Sequence, residues 1–503
     1  EASNLKYFNE YGAFSLDGTE YQMRINKDEK LPTIWANIMA NEKFGTVVTE
    51  GMGGYTWYRN SRLNRLTAWN NNQVTDVPSE AIFLEDIETK KVWSVAFSPC
   101  PDNNDYYITY GFGYSKYRHT SNGILQELKV FVPKEDECKV QILHLENKMA
   151  KRKELKLVYY VKPVLDEDEI KSNGFIELTY KENTNVIMLQ NHAKEVNGRT
   201  IMYIACSEKI SSYTGSKLSF IGKGTIKNPE GMRKLELDRE NTLGKDEIVA
   251  IEIKISLEAF ENKDVVLTLG AEENTMQEET VNAEESEEAN MLNKVEDNII
   301  KTQNKAYKRE NLLKLLDTAY KYENVNNAIN GLESTKKYWR DLLGGIKVET
   351  PVESMNIMLN GWLLYQTLCS RMFARSGYYQ SGGAYGFRDQ LQDCLGLKYI
   401  SPEFLEKQII KHSEHQFIEG DVEHWWHEET SRGIRTRFSD DLLWLPYMVA
   451  EYILFTGDSS ILEEKTAYVK GEVLPDGVDE KYDLFLGTEE KNKIYTHCIK
   501  AIE

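Results

Sequence analysis

No apolar run in this 503-residue sequence approaches the roughly 20 residues that a membrane-spanning helix needs, and no signal-peptide pattern opens it. Cysteine is sparse: Cys100, Cys138, Cys206, Cys369, Cys394 and Cys498 lie far apart, with no Cys-x-x-Cys pair. Thiols so scattered in a long chain predict reduced, mostly buried groups in a cytoplasmic protein, and exclude a disulfide scaffold. Positive charge is short as well, with 61 Lys and Arg against 80 Asp and Glu and a net charge of -19. A nucleic-acid-coating role is therefore excluded, because phosphate neutralisation needs clustered cations. Neutral sugars are not excluded, nor is phosphate, since only the local field at a pocket matters. Gly-x-Ser-x-Gly, the phosphate-cradling Walker loop, a dinucleotide-binding glycine fingerprint and His-Glu-x-x-His are all absent. Four of the eight histidines (His412, His415, His424, His427) do cluster, but without ligand-spaced cysteines no metal centre is expected.

What is present is apolar mass: 41% hydrophobic and 11% aromatic residues, in a chain too long for one core, predict two or more domains. From about Tyr11 to Gly270, short runs alternate apolar and polar residues between turn residues. Val92–Phe97, Tyr106–Tyr110, Leu128–Val132 and Leu155–Val161 are examples. This period of two predicts a large two-sheet sandwich over residues 1–270. Glutamate then crowds positions 272, 273, 278, 279, 284, 285, 287 and 288, where like charges repel. An acidic and helical linker is expected over 271–345, its helical end marked by Leu312, Leu313, Leu315 and Leu316 and closed by Gly344-Gly345. Residues 346–503 read as helical throughout, with one long helix over Met355–Gln366 and another over Asp441–Phe455. The chain opens on Glu1 rather than Met and closes within an amphipathic stretch that has no capping residue, so a processed or partial chain is expected.

Four segments carry candidate chemistry. Tyr378–Asp393 joins a glycine loop to Arg388, Asp389, Gln392 and Asp393. Sugar hydroxyls both donate and accept, so guanidinium and carboxylate groups on one helix face suit them; a structural Arg–Asp pair on a buried helix suits the pattern equally. His424-Trp-Trp-His427 sets Trp425 beside Trp426 in what reads as a polar loop. One of these rings facing a sugar is one reading, and one ring in the core with the other as its cover is the other. Asp440-Asp441 precede Leu-Leu-Trp-Leu-Pro446, as substrate ligands or as caps of the following helix. In the sandwich, Gly51–Trp69 is a glycine turn followed by Arg59, Arg62 and Arg65 among aromatics, with Asp76 and Glu80 nearby. It reads either as a loop reaching a pocket or as an Arg–aromatic stack.

Together these segments resemble glycoside hydrolase family 94, the family of inverting sugar phosphorylases. The matching text is Gly54-Tyr, Asn64-Arg-Leu-Thr-Ala-Trp69, Asn360-Gly-Trp-Leu-Leu-Tyr-Gln366, Gly386-Phe-Arg-Asp-Gln-Leu-Gln-Asp393, His424-Trp-Trp-His427 and Ser439-Asp-Asp-Leu-Leu-Trp-Leu-Pro446, in the family's order. The wording is most similar to the branch holding β-1,2-oligoglucan phosphorylase and the phosphorylase-like domain of cyclic β-1,2-glucan synthase. The resemblance implies a multidomain β and α architecture: a β-super-sandwich, a helical linker and an (α/α)6 barrel, incomplete in this chain. It implies phosphorolysis of β-linked, expectedly β-1,2-linked, glucooligosaccharides with inorganic phosphate as co-substrate and no cofactor. Arg388 and Asp393 match positions that hold the non-reducing-end glucose. A homodimer is the family expectation. The family's general acid lies in a Trp-Asn-Asp motif, which these 503 residues lack. The acid is therefore expected outside this chain, with a second chain completing the barrel as one possibility. A glucan-synthase fragment and a non-catalytic carbohydrate-binding subunit are the competing readings.

Overall fold

A computed structural model describes residues 4–503 apart from 73, 194–199, 242, 243, 245, 274–308 and 379. The chain forms two compact units, Glu1–Lys337 and Tyr338–Glu503.

The first unit is built from antiparallel strands. Among the described residues its largest sheet has eleven, from the edge strand Leu5–Lys6 to the edge strand Ile176–Lys181. Within it the long strands Cys138–Asn147 and Asn262–Glu273 pair from Cys138 opposite Gly270 to Glu146 opposite Asn262. Alternation read from sequence is realised literally here. In Tyr114–Ser121, and in Ile124–Phe131 as far as Val130, buried residues take every second position, because successive side chains leave opposite faces of the sheet. Two further sheets of five strands complete the sandwich. One of their strands, Glu80–Asp86, is buried at all seven positions.

Charge is enclosed in this unit as matched groups. Lys139 and Glu80 pair with side chains 1% and 6% exposed, and the same carboxylate accepts from Thr56 (3.0 Å) and from the Tyr159 hydroxyl (2.5 Å). Burial pulls Lys139 below its ordinary value while Glu80 pushes it back up. An unpaired charge in that position would cost several kcal/mol, so each partner requires the other. The Gly51–Trp69 segment is an aromatic stack with arginine. Tyr55 and Trp69 lie face to face at 4.6 Å, with Arg65 over both rings at 5.6 Å.

The expected linker meets the structure differently along its length. Ala271–Glu273 finish a sandwich strand, while the acidic run from Glu278 to Glu288 lies outside the described residues. Helix Arg309–Glu323 then lays Leu312, Leu315, Leu316 and Ala319 onto Phe131, Val140 and Tyr203 of the eleven-stranded sheet. The next helix, Val325–Leu343, ends at Gly344-Gly345 as read from sequence.

The second unit is helical but not throughout, which corrects the sequence reading. Helical residues run from Glu353 to Ala374 with two stretches of wide turns, and helices Phe387–Leu397, Glu403–Ser413, Trp444–Thr456 and Ile494–Ile502 follow. Between them stands a four-stranded sheet, ordered Tyr385–Gly386, Glu423–His427, Arg432–Thr436 and Glu480–Leu484. Lys465–Lys470 and Leu486–Lys493 pair antiparallel as a separate two-stranded sheet. The strands escaped sequence analysis because they are short and their exposed faces carry Lys, Glu and Asp, so no apolar alternation marks them.

Candidate functional site

Helix Phe387–Leu397 begins directly after the edge strand Tyr385–Gly386, and its entry is tight. The Gly386 N–H donates to Gln390 Oε1 at 2.7 Å, and a Cβ on Gly386 would come within 2.4 Å of the Asp389 carboxylate. Glycine at 386 lets the Asp389 carboxylate sit against the backbone; a larger residue there would push that exposed carboxylate aside. This start sets Arg388, Asp389, Gln392 and Asp393 on neighbouring turns, away from the buried Phe387, Leu391 and Cys394.

Two separate pairings result. Arg388 donates to Gln392 Oε1 at 3.2 Å and lies over the Trp444 ring at 5.8 Å. Asp393 accepts instead from Arg371 Nε at 2.8 Å, and Arg371 also approaches Asp389 at 3.5 Å. The Arg388–Asp393 partnership that the family resemblance implies for a glucose is therefore not an ion pair within the protein; each group faces its own neighbour. Burial raises the Asp393 carboxyl above its ordinary value, Arg371 lowers it and Asp389 adds to the rise.

Asp389, Arg371, Arg375, Gln390, Ser376 and Gln380 line an open cleft of about 510 Å³. Arg375 is held among its lining residues by the backbone. This residue is in the left-handed conformation (φ 48°), and its guanidinium donates to the Gly383 carbonyl (3.1 Å) and the Tyr385 hydroxyl (3.0 Å). Neither arginine was singled out from sequence. The available signal was a pair of arginines four residues apart in an otherwise apolar helix end, just before the glycine loop.

Trp425 and Trp426 lie on a strand, not in a loop, so they point to opposite faces. Trp426 is 1% exposed. His415 stacks on it at 3.8 Å and Tyr385 at 5.5 Å, with Phe387 and His412 at its edges. Enclosed on both faces, it cannot meet a sugar, which corrects its assignment as a substrate ligand. Trp425 is half-buried, with Tyr482 and His427 beside it.

Asp441 does not cap the following helix. It is buried, and the His424 imidazole bonds its carboxylate at 2.6 Å. Burial raises the Asp441 carboxyl, His424 opposes this, and the charges of Asp440 and Asp389 add to it, which sets this pair within electrostatic range of the helix start. Asp440 is exposed.

The clustered histidines serve separate partners: His412 the Gln408 and Gly386 carbonyls, His415 Glu423, His424 Asp441, and His427 the Gly382 carbonyl. Among the described residues, no group of three His, Cys, Asp or Glu side chains is arranged to hold a metal ion. Glu423 and His415 form a buried pair at 2.5 Å under Trp426. Burial pushes the Glu423 carboxyl up to about 8 and holds His415 well below its ordinary value, so both prefer their neutral forms.

Comparison with known proteins bears on this geometry. Residues 19–294 match the glycosyl hydrolase 94 supersandwich domain, and residues 338–503 the glycosyl hydrolase 94 superfamily catalytic domain. The cyclic β-(1,2)-glucan synthase NdvB of Rhizobium meliloti is 30% identical over 507 residues, which is 100% of this chain and 16% of that protein. An N,N'-diacetylchitobiose phosphorylase of Vibrio furnissii is 23% identical, over 92% of this chain and 57% of its own length. The chain thus spans less than two thirds of either relative. A solved structure described as a kojibiose phosphorylase from human microbiome has the same fold at a TM-score of 0.50. It is 11% identical, over 88% of this chain and 57% of that one. The order read from sequence, a super-sandwich followed by a catalytic domain of the (α/α)6 type, is the architecture of these matches. The chain belongs to the glycosyl hydrolase 94 family.

Proposed function

We propose that the chain is the sugar-binding part of an inverting glycoside phosphorylase that cleaves β-linked, specifically β-1,2-linked, glucooligosaccharides with inorganic phosphate to release α-glucose 1-phosphate. The observation that carries this reading is the helix start at the cleft. Arg388 and Gln392 offer donors and Asp389 and Asp393 offer acceptors within two turns, and Arg371 adds a donor from the preceding helical segment, the mixture that a ring of hydroxyls needs. Trp425 adds apolar surface nearby in the sheet, where it pairs with Gly386, and Asp440 with His424, which is held by the buried Asp441, extends the polar groups.

In the proposed reaction, phosphate attacks the anomeric carbon from one face while a carboxylic acid protonates the departing oxygen from the other. Phosphate replaces the water of an inverting hydrolase, so a single acid suffices. That acid is assigned to sequence outside these 503 residues, and no cofactor enters. A homodimer, the family expectation, is measured by light scattering.

A second reading has its own support, the 30% identity along the whole chain to a cyclic β-(1,2)-glucan synthase. There the same site would trim chain length within a larger protein. Among the described residues no helix is long and apolar enough to cross a membrane.

The test is phosphate-dependent release of glucose 1-phosphate from β-1,2-glucooligosaccharides, with cellobiose and laminaribiose beside them. Release from the β-1,2 substrate that is lost in Arg388→Ala supports the proposal. Binding of the oligosaccharide without release, by protein whose intact mass ends at Glu503, favours a non-catalytic carbohydrate-binding subunit.

A further inference from the structure

Arg371 lies outside every motif that carries the family resemblance, yet three residues of the site helix register on it. Its Nε donates to Asp393 at 2.8 Å, its Nη2 lies 3.5 Å from Asp389, and its carbonyl accepts from Gln390 Nε2 at 3.2 Å. Asp389 and Asp393 are four residues apart on one helix, the spacing at which like charges repel. Their side chains differ in surroundings, Asp393 being 21% exposed and Asp389 62%. The charged groups that face Asp393 are Arg371 from the neighbouring helix and Asp389 from its own. A carboxyl group accepts hydrogen bonds at both oxygens only while ionised. Burial and Asp389 work against that state at Asp393, and Arg371 works for it.

We propose that Arg371 is a positioning residue of the sugar site: its guanidinium clamps Asp393 and Asp389 in place as a paired acceptor for sugar hydroxyls. The inference rests on the reading of the cleft as a sugar site and adds to it a residue that acts through the carboxylates. One consequence is that the site keeps its acceptor to lower pH than it would without Arg371, which opposes the rise that burial and Asp389 impose on Asp393. Another is that Arg371 governs affinity for the sugar and not the protonation of the leaving group.

The test follows the Asp393 carboxyl directly, in protein labelled with ¹³C at aspartate Cγ and assigned through Asp393→Asn. In Arg371→Met the Asp393 titration should move up by about one pH unit or more, a tenfold or larger change in its proton equilibrium, with partial recovery in Arg371→Lys. Calorimetric titration with a β-1,2-linked glucobiose should show affinity in Arg371→Met that is weakest at acid pH and recovers as the pH rises. An unmoved Asp393 titration in a folded Arg371→Met protein overturns the inference. A moved titration with unaltered sugar affinity overturns it too, because Asp393 is then no acceptor for the sugar. If the unmutated protein binds no glucobiose while the titration moves as stated, the sugar-site reading itself fails and takes the positioning role with it. Circular dichroism, together with Arg371→Lys, separates these outcomes from simple misfolding.

Discussion

In the sandwich unit, Lys139, Lys153 and Lys156 are buried with their partners. Lys139 and Lys153 each hold a carboxylate, and Lys156 holds the carbonyls of Gly231, Met232 and Lys234 between Glu85 and Glu252. In the second unit, Arg371, Arg388 and Asp389 stay exposed beside an open cleft, and only part of their bonding capacity is used by one another. The same residue types therefore do opposite work. Enclosed and saturated, they specify which strands meet, because any other register leaves a charge unpaired away from water. Exposed and partly saturated, they remain available to a polyhydroxylated ligand. Counting charges does not separate these roles; access to water does.

The sharpest way to break the comparison is to unpair a charge in the sandwich. Lys139→Met should destabilise the first unit by about 3–5 kcal/mol in urea unfolding, by stranding Glu80. Adding Glu80→Gln should recover most of that loss. A mild effect of the single change would mean that water reaches Glu80. In the second unit a loss of similar size is expected only from its core: Trp426→Ala should cost about 3–5 kcal/mol, through the void left between His415 and Tyr385.

Arg388→Ala should behave in the opposite manner. Its thermal midpoint should hardly change, while oligosaccharide affinity falls by about 1.5–3 kcal/mol, the worth of a charged hydrogen bond. Loss of fold in place of affinity would put Arg388 among the structural charges.

The buried Glu423–His415 pair places a sandwich-like feature inside the second unit, and pH exposes it. Unfolded, Glu423 loses its proton near 4.5, whereas folded it holds the proton up to about 8. Its stabilising contribution is therefore complete below about pH 4.5 and is lost as pH rises towards 8. His415, held neutral, sets the opposite flank: stability falls as the pH drops below its ordinary 6.5, where the unfolded ring takes up a proton. Glu423→Gln, which cannot ionise, should flatten the alkaline decline and unfold later than the native protein at about pH 8–9 in thermal melts. An unchanged alkaline profile would show that Glu423 titrates normally.

The smallest effect is expected at Trp425. Trp425→Ala should leave unfolding nearly unaltered and weaken oligosaccharide binding by about 0.5–1.5 kcal/mol, measured by calorimetry.

Much of the architecture was legible before any coordinates. Runs such as Leu155–Val161 became strands because a period of two leaves few alternatives, and Gly344-Gly345 stopped the helix that precedes it. The Tyr378–Asp393 segment was legible as a site because it crowds opposite charges onto one helix turn after a glycine loop. Its internal pairings were not. Arg371, 22 residues before Asp393, and His424, 17 before Asp441, meet these carboxylates only because separate elements pack together. The short strands of the second unit were hidden for a related reason, since their pairing comes from neighbours and not from their own composition.

Sequence alone determined the sandwich, the family, and the helix that carries Arg388, Asp389, Gln392 and Asp393. These follow from local periodicity and composition, which act within a few residues. Tertiary structure alone decided that Trp426 is core and Trp425 its half-buried neighbour, that Asp441 bonds His424 instead of capping a helix, and that Asp393 answers to Arg371. The face to which a strand residue points, and the cation that a buried carboxylate finds, depend on what packs against them from elsewhere in the chain.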